Sequence, residues 1–215
     1  MNTIRIDIVS DVVCPWCIIG FKRLEQALSR LEHSITAEIH WHPFELNPAM
    51  GKEGQNLREH IQEKYGTSDE ASIAARETLT QLGQEVGFQF KFYDQMRIYN
   101  TRKAHQLLLW AQSENRQMAL EMALFEAYFT NQLDVSDEQV LIDCAEQVGL
   151  DRQVAEHILH EESWAEAVAA TEQQWLEAGI NAVPAIIINQ KHLISGAQTP
   201  DRLVEAIEQI AQAEG

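Results

Sequence analysis

The sequence predicts an α/β fold in the order β-α-β, a long helical block, then β-β-α. Three observations predict it. Ile4, Ile6 and Ile8 alternate as along a strand, and Phe21, Leu24, Leu28 and Leu31 then recur as on an amphipathic helix. From about Gly51 to Gly179 the pattern is helical, with no convincing strand. After Gly179 the alternation of a strand returns. The ends, 1–50 and 180–215, are therefore expected to build one sheet-containing domain, and 51–179 a helical domain inserted into it.

Each element has its own signal. A second strand over 36–44 alternates Ala37, Ile39 and Trp41 with Glu38, His40 and His42, and Pro43 and Asn47-Pro48 end it. Two strands joined by a helix imply a right-handed parallel unit. In the block, Ala104, Leu107, Leu108 and Ala111 form one apolar stripe and Leu120, Ala123, Leu124 and Ala127 another. A third helix opens with Ser136 and Gln139 in capping-box register, carries Val140, Leu141, Cys144, Ala145 and Val148, and stops at Gly149. Ala185–Ile188 and His192–Ser195, separated by three polar residues, read as a hairpin. Thr199 and Pro200 suit the cap and first residue of a last helix with Leu203, Ile207 and Ile210 facing inward.

Composition narrows the function. The chain has 215 residues, 45% of them hydrophobic, enough for a core without disulfide staples. A net charge of −17 argues against nucleic acid or an anionic membrane as partner. No apolar run approaches the ~18 residues of a membrane span. No charged segment followed by an apolar one opens the chain, so a cytoplasmic protein is expected.

The chemistry gathers at Ser10-Asp11-Val12-Val13-Cys14-Pro15-Trp16-Cys17, where the first strand meets the first helix. Unpaired amides at a helix start favour a thiolate over a thiol, and Cys14 should feel them most and be the more exposed thiol. Cys17 follows three residues later on the same helical face, in reach to close a disulfide or resolve a mixed one. Pro15 suits a first helical position because its missing N–H costs nothing there. A redox dithiol is the favoured reading. Half of a zinc site remains open, with His40 and His42 as the other ligands, although their spacing fits no finger pattern. So do cysteines that are merely near each other. Cys144, in an apolar stripe, reads as a buried small hydrophobe.

Further segments match in order along the chain: Pro43-Phe44-Glu45-Leu46-Asn47-Pro48, Asn100-Thr101 with Ala104-His105, Val183-Pro184, and Ser195-Gly196-Ala197-Gln198. With the CxxC and the order of elements, they resemble the DsbA-like thiol oxidoreductases, specifically the FrnE-like branch, which have a thioredoxin-like fold with a helical insertion. The resemblance implies a cis Val183–Pro184 bond facing the cysteines, with Val183 presenting its amide and carbonyl to an extended substrate. An ordinary proline starting a strand is the plainer alternative. The branch is related to kappa-class glutathione transferases and 2-hydroxychromene-2-carboxylate isomerases, which carry a serine in place of Cys14 and no thiol in place of Cys17. In glutathione-binding relatives the loop before the last helix holds the γ-glutamyl carboxylate; it matches Gly196, Ala197 and Gln198, but the acidic member is absent unless Asp201 replaces it. Thioredoxins carry a buried acid six residues before the nucleophile; Ile8 occupies that position, and Asp7 points to the other face.

The expected function is thus thiol–disulfide exchange, with Cys14 as nucleophile, Cys17 as resolving thiol and Pro184 and Val183 holding the substrate. Trp16 is expected to offer substrates an apolar surface beside the sulfurs. Asp11 would raise the Cys14 pKa or relay a proton, or simply form the turn. Asn100 and Thr101 cap a helix, and the resemblance places that turn beside the site, with His105 behind it. Substrates would be protein or small-molecule thiols and disulfides. No metal or organic cofactor is required, and electrons would pass to glutathione, thioredoxin or a small thiol. The alternatives are a glutathione-dependent isomerase or transferase, a non-enzymatic chaperone or binding module, and a redox sensor.

Overall fold

The computed structural model describes residues 2–214. Strand β1 (Asn2–Ser10) leads into α1 (Pro15–Leu31) and β2 (Ile35–Pro43), which lies parallel to β1 with Ile6 opposite Ile39. The hairpin of β5 (Ala185–Ile188) and β6 (His192–Ser195) returns antiparallel to β1, and α9 (Pro200–Glu214) closes the chain. The sheet order is β2-β1-β5-β6. Strands β1 and β5 form the inner pair, and residues 6–10 of β1 and all four residues of β5 are buried.

The period of two along β1 assigns its side chains to two faces. Ile4, Ile6 and Ile8 join the main core with Ile186 and Ile188, Leu24 and Ala27 of α1, and Leu203 and Ile207 of α9. Val9, Ala185 and Ile187 face the other way, against Ile180, Phe44 and Trp175. Asp7 is fully buried on that second side and pairs with Arg5 and His42, each at 2.7 Å. Burial alone would raise its pKa, but the hydrogen bonds and charges of His42 and Arg5 prevail and hold it at about 2.

The block between β2 and β5 contains α2 (Leu57–Tyr65), α3 (Asp69–Glu85), α4 (Arg102–Ser113), α5 (Gln117–Phe125), α6 (Glu138–Gln147), α7 (Arg152–Glu161) and α8 (Ala165–Glu177). It is not purely helical. Two-residue strands β3 (Gln55–Asn56) and β4 (Arg97–Ile98) pair antiparallel, and α5 winds on into a π-helical turn at Glu126–Thr130. Helix α4 is buried from Ala104 to Ala111 and packs on α5, α7 and α8 and against β2. The main core runs on without a break from the sheet into these helices. Asp137 caps α6, accepting from the amides of Gln139 and Val140; the expected cap, Ser136, instead donates its hydroxyl to Asp134. An Asp oxygen in this position serves as well as the capping box.

Phe88, Phe90, Phe92, Tyr128 and Phe129 stack edge to face or in parallel between α3 and the end of α5. They fit because α3 carries Gly83: a Cβ there would lie 2.5 Å from the Phe90 ring and 2.7 Å from the Phe88 carbonyl. Alanine is the better helix former, yet Gly83→Ala is expected to destabilise the protein by about 1–3 kcal/mol, the usual cost of overpacking. Urea unfolding checks this, and a variant as stable as the parent would contradict the packing described.

Candidate active site at the start of the first helix

Strand β1 ends at Ser10, and a turn closed by the Cys14 amide on the Asp11 carbonyl (2.9 Å) delivers the chain to α1. Cys14 is the N-cap, in extended conformation, with Pro15 as the first helical residue. No side chain caps this helix start. Cys14 thus stands at the positive end of α1. The Cys17 amide donates to the Cys14 carbonyl (3.1 Å), which keeps both thiols in one turn. Both are free thiols.

Cys14 is the more exposed of the two, but only just: 4% against 0% for Cys17. Trp16 is 42% exposed beside them. The reduced exposure of Cys14 comes from the segment before β5. The Val183–Pro184 bond is cis, and the Cys14 Sγ points at the Val183 carbonyl oxygen, 4.0 Å away. Pro184 can come this close because α1 carries Gly20, where a Cβ would meet the proline ring at 3.2 Å.

Below the sulfurs lies a buried ionisable group of residues. Burial pushes the Cys17 thiol well above its ordinary pKa, the neighbouring Cys14 adds to this, and the Ser10 hydroxyl and Asp11 backbone partly offset it. Ser10 Oγ in turn donates to Glu121 Oε1 (3.1 Å) on α5. Glu121 is wholly buried, and desolvation raises its carboxyl to about 7, against the opposing pull of His105 and Ser10. His105 on α4 lies 3.4 Å from Asp11 Oδ1 and 3.2 Å from the Phe44 carbonyl. Burial opposes its charge, but Asp11, Glu121 and Glu172 prevail and raise its pKa. Asp11 Oδ2 accepts the Leu46 amide at 2.8 Å, so Asp11 fixes the loop after β2 through its side chain and the turn before Cys14 through its backbone carbonyl. Glu121 was not a sequence candidate. Its signal was a lone acid within an apolar helix, one turn after Gln117, whose side chain pins the backbone of Trp41.

The other candidates divide. Val183, Trp16 and Cys14 line one cavity of about 370 Å³ between α1 and the helices α2 and α3. Asn100 does not reach it. Its side chain caps α4 through the Arg102 amide and touches Glu45 and the Pro48 carbonyl, and it lines a separate cleft with Arg102 and Glu138. Asn100, rather than Thr101, supplies the capping oxygen. Gly196, Ala197 and Gln198 lie behind Pro184: the Gly196 amide donates to the Pro184 carbonyl, and the Ala197 carbonyl accepts from Arg23. The Gln198 side chain is used locally, on the Ser195 carbonyl and Arg202. None of the three lines the Cys14 cavity. His42 is taken by Asp7 and His40 by Gln112, so neither joins the cysteines. Cys144 is buried on α6, and burial raises its pKa to about 11.

The fold has counterparts. The DSBA-like thioredoxin domain matches residues 5–208. The chain belongs to that family. It is 28% identical over 219 residues to the uncharacterized protein YwbO of Bacillus subtilis (strain 168), covering 95% of this chain and 96% of that one. The crystal structure of the probable DsbA oxidoreductase SCO1869 from Streptomyces coelicolor superposes with a TM-score of 0.92 at 29% identity, over 99% of this chain and 91% of that one. The cytosolic disulfide reductase DsbM from Pseudomonas aeruginosa, in a structure with GSH, shares the fold with a TM-score of 0.63 at 13% identity, over 97% and 99% of the two chains. The DSBA-like chain described here thus has a thioredoxin-like fold and oxidoreductases among its structural neighbours. Among its described residues no helix is long and apolar enough to cross a membrane.

Proposed function

We propose that this DSBA-like protein is a thiol–disulfide oxidoreductase in which Cys14 exchanges with substrate and Cys17 resolves. The observation that carries the reading is the pairing of an N-cap thiol at the cavity surface with a second thiol sealed beneath it. Cys14, as thiolate, attacks one sulfur of a substrate disulfide, forms a mixed disulfide and releases the other half as a thiol. Cys17 then loses its proton and attacks the Cys14 sulfur, which releases the second thiol and leaves the Cys14–Cys17 disulfide. The reverse sequence oxidises a substrate dithiol. The Val183 carbonyl bounds the space where the substrate's sulfur must sit.

The resolving step needs a proton acceptor, because burial disfavours the Cys17 thiolate. Glu121, reached through the Ser10 hydroxyl, is placed for that role, and a carboxyl that titrates at about 7 can both take and return a proton at neutral pH. It performs from α5 what an acid on β1 would perform if Ile8 were one. Glutathione or thioredoxin is proposed as the electron partner, and the cytoplasm, where thiols are kept reduced, as the compartment. No organic cofactor or metal enters these steps.

Turnover tests the reading. With dithiothreitol as donor, catalytic amounts of the protein should accelerate reduction of bis(hydroxyethyl) disulfide for many cycles. Consumption of one disulfide per protein and no more would overturn catalysis, and turnover that appears only with glutathione would favour a glutathione-dependent isomerase or transferase.

A further inference from the structure

The cavity at Cys14 holds a cation that thiol exchange alone does not require. Arg76, on α3, lines the same cavity as Cys14 and Trp16, and its Nη2 is buried without a hydrogen-bond partner. Leaving a buried donor of a charged group unpaired is costly, and guanidinium cannot shed its charge. No carboxylate among the described residues lies within ion-pair distance of it; Asp94 and Arg58 act only through their more distant charges. Two further polar side chains of the cavity are already engaged. His60 bonds Gln55 and Asn47 through its two ring nitrogens, at 2.8 and 2.9 Å, and Lys64 donates to the Leu46 carbonyl and to Asn47. The remaining wall is largely apolar and partly aromatic, with Leu57, Leu79, Phe92 and Phe129 beside Thr67 and Ser72. At about 370 Å³ the space falls within the range of small-ligand sites.

A sulfur at one side, an unpaired guanidinium on α3 and apolar walls between them specify a ligand. We propose that the cavity binds a low-molecular-weight organic disulfide, or the thiol it yields, with an apolar ring-sized body and a carboxylate that pairs with Arg76. The proposal rests on the oxidoreductase reading and names its substrate class. Two electrons pass from the Cys14–Cys17 dithiol to the bound disulfide. Its S–S bond breaks, the Cys14–Cys17 bond forms, and the two cysteine protons leave with the two product thiols or to solvent. The planar fork of arginine suits a carboxylate better than lysine would, so Arg76→Lys should retain only part of the selectivity.

Single-turnover kinetics test this with the reduced protein carrying Cys144→Ser, so that only Cys14 and Cys17 report. The probes are dithiobis(nitrobenzoate), an aromatic disulfide with a carboxylate on each ring, and the neutral aromatic dithiodipyridine. The readout is the ratio of the two rate constants at physiological salt. Arg76→Gln should lower the ratio roughly tenfold, the scale of one lost charge-assisted hydrogen bond. Arg30→Gln, which removes an equal charge from the exposed Arg30–Asp201 pair, should leave the ratio unchanged. An unchanged ratio in Arg76→Gln, or an equal fall in Arg30→Gln, overturns the proposal while leaving the oxidoreductase reading intact. A fall seen only with a disulfide of an acidic peptide also overturns it, in favour of a polypeptide occupant. If the parent protein reacts with neither probe, it is the oxidoreductase reading that fails.

Discussion

Cys14→Ser is expected to lower disulfide turnover by roughly 10³-fold or more, and Cys17→Ser to halt it as a covalent adduct on Cys14. The two losses have different causes. Cys14 holds the helix start and opens on the cavity, so without it no sulfur can reach the substrate. Cys17 is sealed, and its thiolate is disfavoured by burial, so it cannot replace Cys14 as the first nucleophile. The Cys17→Ser protein should therefore accumulate one substrate half per chain. Intact mass spectrometry before and after a thiol reductant would show it. An adduct mapped to Cys144, or turnover retained in Cys17→Ser, would contradict the division of roles.

Glu121→Gln is expected to make the protein more stable and a poorer catalyst at the same time. The unfolded carboxyl loses its proton near 4.5, whereas the folded one keeps it to about 7. The folded state thus binds an extra proton between those values. The stability this confers is fully present below the unfolded pKa and is lost as pH rises through the folded one. Above pH 7 the ionised, buried Glu121 costs about 3 kcal/mol, at 1.36 kcal/mol for each tenfold in proton affinity. Replacing it with glutamine keeps an oxygen for Ser10 and removes the charge. Urea unfolding should find parent and variant nearly equal at pH 5, and the variant more stable by up to about 3 kcal/mol at pH 8. Resolution of the Cys14 mixed disulfide should slow roughly 10²-fold near neutral pH, the usual contribution of a placed base. Its rise with pH should move from about 7 to the higher range of the unaided Cys17 thiol. A variant with unchanged pH dependence in both measurements would remove Glu121 from the mechanism.

Much of the framework was legible because it repeats. The alternation at Ile4, Ile6 and Ile8, the stripe from Phe21 to Leu31 and the hairpin after Val183 have periods that a chain alone displays, and they locate the thiols and the proline. Strands β3 and β4 were not legible. Two residues are too short for a period, and their partners lie some forty positions apart, brought together only when the helices pack. The site divided in the same way. Cys14, Cys17 and Trp16 stand out in the sequence because spacing defines them, whereas Glu121 and Arg76 depend on which helix face meets which. A single glutamate in an apolar helix and an arginine among the polar residues of α3 carry no spacing signal. Resemblance placed Asn100 at the site, but its side chain is spent on capping α4 and on Glu45 and Pro48. Cys14 is also less exposed than a helix start alone suggests, because the Val183–Pro184 segment covers it.

Cys14 and Cys17 are expected to form a reversible two-electron couple. The direct measurement is equilibration of the protein, with Cys144 replaced by serine, against glutathione buffers of graded ratio, followed by acid quenching and alkylation of free thiols. A single transition is expected from two alkylated thiols to none, with no glutathione attached and a two-electron slope. A protein that never loses both thiols, or that carries glutathione on Cys14 across the whole range, would contradict it.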